Sequence, residues 1–520
     1  MSLRRALSDL MKVLPNEVLE IDREVSTEYE ITAFAEALSI QSPVLVFKRI
    51  KNYPQFTVIS NMFSSREKIA VYLGVKKEEL NKKWVSIINR DYNYTISDGD
   101  GPVREIQYIG EKVDITALPV LTHYPQDGGR YITSGIIVAR SIDGTVNLSF
   151  ARIQIVDKNK IALSMHSRGH LWSYYLKFRE MKRDMPISIV IGAHPIYYLM
   201  AAARIDEEYR KVYGLIDDKL IAGITNDLPV PANSEIVLEG KILWDKSFDE
   251  GPFTEYTGYL SNRSTKNLAQ IDAIYMRRNP IYLEINPSNS KEHILLSGIA
   301  KEPIVESTIR SFLPSAYRFS VDWPLKGVHY VAMAYIENPE MGISKQLGLM
   351  LLGLDHYLKI VFVSENKVQL SLYAMLSQML CSWDIEIIKG VFCNKLDPSA
   401  SPDGTSSKVI FTCKGSEEQP VTEVKENEIN IIRCGKKLHI GHEADKSAQI
   451  NLVVDSDIDP KNEDDVLWAM ATRLQPANGI KISDKGIIID TRRPGLSRPR
   501  LPEDVIKNVI QYLQKVQVLS

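Results

Sequence analysis

Two glutamates that flank a Gly-Pro turn are the clearest candidates for chemistry in this sequence. The segment reads Glu250-Gly-Pro-Phe-Thr-Glu255-Tyr-Thr-Gly258-Tyr259. Glycine and proline favour irregular backbone, where functional side chains often lie. Two neighbouring carboxylates in a partly buried site can hold different protonation states, so that one of them donates a proton. The pair alone leaves a second interpretation open, a surface turn with two solvated glutamates.

An arginine inside an apolar strand pattern is the second candidate. It ends the segment Asn147-Leu-Ser-Phe-Ala151-Arg152. Five strand residues span roughly 17 Å, so Asn147 and Arg152 point to opposite faces unless the strand contains a bulge. A buried arginine needs a partner, and a carboxylate suits its planar fork. The local sequence is also open to a structural ion pair on an edge strand.

A histidine follows in the segment Met165-His166-Ser-Arg168-Gly169-His170. Together with Asn147 and a later carboxylate, His170 predicts a mixed nitrogen and oxygen site, which suits Mn²⁺ or Mg²⁺ better than zinc. The histidine alone is a weak signal, because a lone histidine is more often structural.

The cysteines predict neither a zinc site nor export. None belongs to a Cys-x-x-Cys pair, which zinc sites favour. A long chain with few cysteines and no export signal favours a cytoplasmic location with free thiols. The four cysteines are Cys381, Cys393, Cys413 and Cys434.

Composition argues against two further classes of protein. The 520 residues carry a net charge of -2, so no basic domain predicts a nucleic-acid partner. The most apolar segment, 186–203, contains Ser188, His194 and Pro195. It therefore favours a buried strand that runs into a helix, and we expect no membrane span.

The elements that must position these residues change in character along the chain. Helix and strand patterns alternate in residues 1–110 and again in residues 341–520, which predicts α/β domains. Short strands separated by turns dominate residues 111–295, which predicts a barrel or sandwich core. Residues 296–340 predict a linking helix. The fold class is therefore α/β, with α+β character in the strand-rich centre.

A weak internal repeat lies in the last third of the chain. Each unit is a strand, a helical stretch and a second strand, a pattern that is common in α/β domains. The first unit comprises 359–363, 370–380 and 408–410, and the second comprises 450–454, 464–471 and 486–490. The pattern predicts either an insertion at about 366–450 or a degenerate repeat.

These motifs together resemble the UbiD family of reversible decarboxylases. Glu250 to Tyr259 is similar to a family signature, and so is Asn147 with Arg152 and with His170 eighteen residues later. Four further phrases match in order: His123-Tyr-Pro-Gln-Asp-Gly-Gly129, Ile191-Gly-Ala-His-Pro195, Val230-Pro-Ala-Asn-Ser-Glu-Ile-Val-Leu-Glu-Gly240 and Val466-Leu-Trp-Ala-Met-Ala-Thr-Arg473. The resemblance covers most of the chain.

The resemblance implies a central split β-barrel, similar to that of flavin reductases, which binds prenylated FMN. Arg152, Glu250 and Glu255 match the catalytic network of the family. Lys359 matches a lysine that approaches the cofactor phosphate, and a K⁺ ion is a further expectation. The residues that match cofactor-binding positions are Asn147, Ala151, Arg152, Gly169, His170 and Lys359, and those that match ligands of Mn²⁺ (or Mg²⁺) are Asn147, His170 and Asp218.

The implied activity is the reversible, non-oxidative decarboxylation of an α,β-unsaturated or (hetero)aromatic carboxylic acid. Arg152 would orient the substrate carboxylate, and Glu255 would donate the proton that replaces CO₂. The implied partners are a flavin prenyltransferase, which supplies the cofactor, and further copies of the chain in a homo-oligomer. The alternative is a cofactor-binding or assembly subunit of a multi-subunit carboxylase with little activity alone. An ordinary FMN oxidoreductase is disfavoured, because hydride transfer requires no paired carboxylates.

Three departures from the family pattern accompany this resemblance. Asp218 stands where the family normally has a glutamate, one methylene longer. The segment 223–235 is shorter than usual, and the insert at 366–450 interrupts the last domain. Arg168 is a candidate cation for a phosphorylated substrate.

Overall fold

The computed structural model describes residues 1–519 except 204, 263, 393, 402 and 494. The chain divides into two units, Met1–Pro303 together with Arg498–Ser520, and Ile304–Ser497. The regions 1–110 and 111–295, predicted as separate domains, both fall in the first unit. The predicted domain 341–520 also differs at its end, because the residues after 497 belong to the first unit.

Helices form where apolar residues recur at helical spacing behind a suitable cap. In the first helix, Leu3, Ala6 and Leu10 are buried, and the Ser2 hydroxyl accepts a hydrogen bond from the Arg5 amide at 3.3 Å. The described helices are α1 (Leu3–Val13), α2 (Glu30–Ala37), α3 (Arg66–Tyr72), α4 (Leu80–Ile88), α5 (His170–Glu180), α6 (Pro195–Ala202), α7 (Glu208–Val212), α8 (Lys291–Phe312), α9 (Ile343–Leu354), α10 (Leu372–Met379), α11 (Glu463–Arg473), α12 (Pro476–Gly479) and α13 (Glu503–Lys515).

The strands of the first unit are short near the N-terminus and longer in the centre. They are β1 (Val18–Ile21), β2 (Val44–Phe47), β3 (Thr57–Ser60), β4 (Ile96–Ser97), β5 (Ile106–Ile109), β6 (Tyr131–Ile132), β7 (Ile136–Arg140), β8 (Val146–Phe150), β9 (Arg152–Asp157), β10 (Lys160–Ser164), β11 (Met185–Ile191), β12 (Leu220–Ala222), β13 (Pro229–Pro231), β14 (Ile236–Ser247), β15 (Phe253–Thr254), β16 (Leu260–Ser261), β17 (Asn267–Met276) and β18 (Ile281–Leu283). The apolar segment 186–203 forms β11 and α6, as predicted.

A nine-stranded antiparallel sheet forms the centre of the first unit. Its order is β6-β9-β10-β17-β14-β11-β7-β8, with β5 paired to β17. Branched apolar side chains from these strands, among them Ile137, Ile153, Ile189 and Leu238, are completely buried in one core. Burying each such side chain contributes about 1.5–3 kcal/mol, which makes this sheet a rigid base for side chains at its edge. A smaller sheet, β1-β2-β3-β18, completes the N-terminal region.

The second unit contains two sheets with the same strand order. The strands are β19 (Phe319–Asp322), β20 (Val331–Ile336), β21 (Ile360–Ser364), β22 (Asp384–Phe392), β23 (Thr405–Cys413), β24 (Val421–Val424), β25 (Glu428–Arg433), β26 (Lys436–Gly441), β27 (Ile450–Val453), β28 (Ile480–Ser483) and β29 (Gly486–Asp490). The order β19-β20-β21-β23-β22 is repeated as β25-β26-β27-β29-β28, with β24 added at the edge. In both sheets the three middle strands are parallel and the two outer ones antiparallel.

The two sheets of the second unit, each with its helices, are here called the first and the second copy. Backbone contacts identify residues that correspond between these two copies. Just before β21, the Lys359 amide donates at 2.8 Å to the backbone at the start of β20. Just before β27, the Gln449 amide donates at 2.9 Å to the backbone at the start of β26. The helix α10 begins with Leu372-Tyr-Ala-Met375, and α11 contains the similar segment Leu467-Trp-Ala-Met470. The sequence left an insertion and a degenerate repeat as alternatives, and these correspondences support the degenerate repeat.

The cysteines differ from the expectation of free thiols. Cys381 and Cys434 form a disulfide with a Cα–Cα distance of 5.4 Å, which joins the first copy to the second. Cys413 is a buried free thiol, and Cys393 lies outside the described residues. Sequence spacing could not predict the pair, because 53 residues separate the two sulfurs along the chain. None of the described helices is both long and apolar enough to cross a membrane.

Reduction of this disulfide is expected to destabilise the second unit. A cross-link that closes a loop of this length contributes about 2–4 kcal/mol, since it restricts the unfolded chain. Urea unfolding with and without dithiothreitol measures the difference. The double variant Cys381→Ser/Cys434→Ser serves as the control, because its stability should not respond to the reductant. Equal stability of the native chain under both conditions would show that the two thiols are not bonded in solution.

Candidate active site

The structure brings the arginine and both glutamates of the sequence motifs into one buried group. Arg152 Nη2 donates to Glu250 Oε2 at 2.6 Å, and Arg152 Nη1 donates to Glu255 Oε1 at 3.1 Å. The two glutamates are only 4% and 8% exposed. The solvated surface turn that the sequence left open is therefore wrong. One guanidinium instead binds two carboxylates through separate N–H groups.

A change of strand at Ala151 explains how Arg152 reaches this position. The chain leaves β8 at Phe150 and enters β9 at Arg152. Within the described sheet, β8 pairs with β7, whereas β9 pairs with β10 and β6. Asn147 and Arg152 thus belong to different parts of the sheet. The alternation of side-chain faces along a single strand therefore does not apply to them.

Glycine conformation shapes the turn that carries the glutamates. Gly251 and Gly258 have φ angles of 108° and 81°, which strain any residue with a Cβ atom. The Gly258 amide donates to the Glu255 carbonyl at 2.8 Å and closes the chain behind that residue. Between the glutamates, the Phe253 ring centre lies 5.5 Å from the guanidinium carbon of Arg152, a cation–π distance.

Burial sets the protonation of Glu255. Burial raises the pKa of the Glu255 carboxyl above its ordinary value, although the charge and hydrogen bond of Arg152 act in the opposite direction. The negative charges of Glu250 and Asp127 raise this pKa further. A carboxyl group in these surroundings keeps its proton at a higher pH than a solvated one and can act as a general acid.

A second polar cluster joins β8 to the first turns of two helices. Asn147 Nδ2 lies 2.6 Å from Glu208 Oε1 and 3.4 Å from His170 Nδ1. Asp206 Oδ1 lies 3.2 Å from the same histidine nitrogen. Glu208 is 1% exposed, and its Oε2 atom has no hydrogen-bond partner. A buried carboxylate oxygen of this kind is suited to a cation or an ordered water molecule.

Asp218, the predicted third metal ligand, is engaged elsewhere. Its Oδ1 accepts a hydrogen bond from Asn233 Nδ2 at 3.0 Å, and burial raises its pKa to about 6. Glu208 takes the place beside Asn147 that the sequence assigned to Asp218. The sequence signal for Glu208 is the acidic run that begins at Asp206, whereas the family pattern pointed to Asp218.

The cluster fits a divalent cation only if an amide oxygen takes part. In the part of the chain that the structure describes, three or more His, Cys, Asp or Glu side chains nowhere form a metal-binding group. Asn147, His170 and Glu208 together offer one amide, one imidazole and one carboxylate. Such a mixed set suits Mn²⁺ or Mg²⁺, with the asparagine amide turned to present its oxygen.

The remaining predicted cofactor residues lie in both units. Ala151 is the connection between β8 and β9, and Gly169 is the residue just before α5. Lys359 belongs to the second unit, where its ammonium group donates to Asp397 Oδ1 at 3.0 Å and to Ser399 Oγ at 2.8 Å. Its role towards a cofactor stays a prediction.

Comparison with known families identifies the class of protein. Three domains of 3-octaprenyl-4-hydroxybenzoate carboxy-lyase match this chain: the N-terminal domain at residues 15–88, the Rift-related domain at 95–290 and the C-terminal domain at 303–413 and 432–508. The chain is thus a carboxy-lyase. It belongs to the UbiD family. The first segment of the C-terminal match contains β19 to β23, and the second contains β26 to β29.

Individual relatives agree with this assignment. The anhydromevalonate phosphate decarboxylase of Methanosarcina mazei is 29% identical over 401 residues, which cover 76% of this chain and 92% of the relative. The UbiD-class enzyme HmfF from Pelotomaculum thermopropionicum, solved in complex with FMN, has a TM-score of 0.73 at 29% identity. That match covers 82% of this chain and 97% of HmfF. An evolved dimeric form of HmfF in complex with prenylated FMN has a TM-score of 0.71 at 26% identity and covers 81% and 97% of the two chains.

Replacing Arg152 by alanine is expected to destabilise the first unit by about 3–5 kcal/mol, because two buried carboxylates lose their cation. The pKa of Glu255 is already raised, and loss of the opposing charge raises it further. At low pH the Glu255 carboxyl of this variant is protonated, and its burial costs little. As the pH rises through the raised pKa of Glu255, the buried carboxyl ionises without a partner, and the stability of the folded protein falls. The defect should therefore be larger at pH 8 than at pH 5.5, measured by urea unfolding.

Arg140→Ala is a matched control for this substitution. Arg140 pairs with Asp227, whose side chain is 83% exposed, so its loss should cost about 1 kcal/mol or less. A defect of the Arg152 variant no larger than this control would contradict the buried ion-pair group.

Proposed function

We propose that this chain is a reversible, non-oxidative decarboxylase of an α,β-unsaturated or (hetero)aromatic carboxylic acid that uses prenylated FMN. The observation that carries the proposal is the buried contact of Arg152 with Glu250 and Glu255. A hydride-transfer enzyme has no need of two carboxylates on one guanidinium. The related structures in complex with FMN and with prenylated FMN support the choice of cofactor.

Each member of this group has a separate task in the proposed reaction. Arg152 orients the substrate carboxylate, since its planar fork can bind a carboxylate through two N–H groups. The prenylated flavin, when bound, supplies the electron sink that the departure of CO₂ requires. Glu255 then gives its proton to the carbon that has lost CO₂, and in carboxylation it takes the proton back. Glu250 holds the guanidinium in place through the 2.6 Å contact.

The polar cluster on β8 is the proposed site for the cofactor phosphate and its metal ion. Asn147, His170 and Glu208 would hold Mn²⁺ or Mg²⁺. The imidazole lies at the start of α5, where the helix dipole favours an anion such as a phosphate. Ala151 and Gly169, with small or absent side chains, leave the backbone open to the cofactor. An additional K⁺ ion stays a prediction.

The alternative function is less well supported. The buried ion pairs of Arg152 with Glu250 and Glu255 would have no catalytic use in an assembly subunit with little activity of its own. A flavin prenyltransferase partner and a homo-oligomer remain predictions from the resemblance, and a cytoplasmic location remains a prediction from the cysteine content.

Mass spectrometry and visible absorption of the protein, co-expressed anaerobically with a flavin prenyltransferase, test the cofactor. About one prenylated FMN per chain is expected. Turnover is then measured with cinnamic acid, 4-hydroxybenzoic acid and an anhydromevalonate phosphate. Absence of any flavin, despite a supply of manganese, would favour the assembly subunit.

Glu255→Gln is expected to abolish turnover and to leave the flavin content unchanged, because the amide has no proton of suitable acidity to donate. In the unmodified enzyme, decarboxylation should fall as the pH rises through the raised pKa of Glu255, since the acid form is lost. Glu111→Gln, a change at an exposed glutamate, is the control. Full turnover in the Glu255 variant would refute its role as proton donor.

Metal binding by two variants distinguishes Glu208 from Asp218 as the third metal ligand. Glu208→Ala is expected to weaken Mn²⁺ binding by about 10–100-fold, the range found when even an outer partner of a metal site is removed. Asp218→Ala should leave the affinity unchanged, because the Asp218 carboxylate is bonded to Asn233. Titration of Mn²⁺ followed by electron paramagnetic resonance measures both. The reverse result would restore Asp218 as the ligand.

A further inference from the structure

A loop at residues 124–129, here called the clamp loop, lies against the catalytic turn at residues 250–255. The Gly128 amide donates to the Pro252 carbonyl at 2.7 Å. Asp127 Oδ1 accepts hydrogen bonds from the Thr254 amide and the Thr254 hydroxyl, both at 2.8 Å. The clamp loop therefore holds the turn on both sides of Phe253.

Asp127 connects two stretches of backbone through one carboxylate. Its second oxygen, Oδ2, accepts from the Tyr124 amide at 3.1 Å, within the clamp loop itself. Hydrogen bonds to an ionised carboxylate are roughly twice as strong as those between neutral groups. Thr254 is completely buried and directly precedes Glu255. Fixing the backbone of Thr254 thus fixes the point from which the Glu255 side chain extends.

Gln154 links the same two segments to the strand that carries Arg152. The two residues are two positions apart on β9, so their side chains point to the same face. Gln154 Nε2 donates to the Gly128 carbonyl at 2.6 Å, and Gln154 Oε1 accepts from the Gly251 amide at 3.2 Å. The side chain is 6% exposed. The amide of Gln154 thus donates to one segment and accepts from the other without carrying charge.

The contact between the clamp loop and the turn is too close for any other residue at position 128. A Cβ atom added to Gly128 would lie 2.4 Å from the Gly251 carbonyl oxygen. Real Cβ atoms do not approach an oxygen so closely, so the glycine is a condition of the contact. The spacing between the clamp loop and the turn is therefore defined by direct backbone contact.

We propose that Asp127 and Gln154 are positioning residues for decarboxylation. Gln154 sets the separation of the catalytic turn from the strand of Arg152, and Asp127 fixes the end of the turn that bears Glu255. A catalytic group displaced by about 1 Å can lose about 100-fold in rate, so such supports matter although they touch no substrate. This inference rests on the proposed function, because it assumes that Glu255 and Arg152 carry the reaction.

Asp127 also acts on Glu255 through its charge. The groups that influence Glu255 are Arg152 on β9, Glu250 on the same turn and Asp127 on the clamp loop. Beyond the effect of burial, the two negative charges raise the pKa of Glu255, and Arg152 lowers it. Asp127→Asn removes one of the raising charges. The pH at which activity is lost on the alkaline side should therefore move downwards, whereas a purely structural defect would not move it.

Hydrogen–deuterium exchange of the catalytic turn tests the positioning without a substrate. In Gln154→Ala the Gly251 amide, and in Asp127→Ala the Thr254 amide, lose their acceptor and should exchange about tenfold faster. Two variants are matched controls. Asp114→Ala removes an aspartate that binds the Thr116 amide in the same manner, at 2.9 Å. Gln270→Ala removes a sheet glutamine that binds Asp272.

Steady-state kinetics complete the test, with the carboxylic acid that the unmodified enzyme decarboxylates fastest among those screened. Gln154→Ala and Asp127→Ala should lower kcat by about 10–100-fold with unchanged flavin content and little change in KM. Asp127→Asn should shift the alkaline limb to lower pH. The positioning role would be overturned if the Gln154 and Asp127 variants exchanged their amides no faster than the control variants. It would also be overturned if they turned over substrate as fast as the controls while Glu255→Gln was inactive. Full activity of Glu255→Gln would instead overturn the proposed function.

Discussion

Two carboxylates share one guanidinium in the interior of the first unit, and the structure around them follows from the cost of burying those charges. A single buried carboxylate without a partner is strongly unfavourable, so Glu250 and Glu255 require Arg152 at hydrogen-bond distance. The arginine requires a rigid strand, which the long antiparallel sheet provides. Burial raises the pKa of the Glu255 carboxyl, and the negative charges of Glu250 and Asp127 raise it further. The same burial that costs stability thus produces an acid.

The break between β8 and β9 serves both polar clusters at once. Asn147 ends up beside Glu208 and His170, and Arg152 ends up beside the catalytic turn. One residue, Ala151, connects the two strands. A short connection of this kind fixes the distance between the proposed phosphate end of the cofactor and the reacting end.

Local sequence predicted some of this organisation and could not predict the rest. The Glu-Gly-Pro turn and the strand that runs into α6 follow from short patterns, because backbone preference and apolar spacing act over a few residues. The choice of Glu208 over Asp218 depends on how the chain after α6 folds back on β8, which spacing does not determine. The bond from Cys381 to Cys434 depends on the contact of two copies that are distant in sequence. The clamp loop was visible only as a matching phrase, without a role.

The two copies in the second unit differ at corresponding positions. The first copy has Lys359 where the second has Gln449, and the second has Arg473, which forms an ion pair with Asp455 at 2.6 Å, where the first has Gln378. Each copy thus carries a cationic side chain that the other lacks at the corresponding position. Deleting either copy would remove one of these cations, so neither copy can fully substitute for the other.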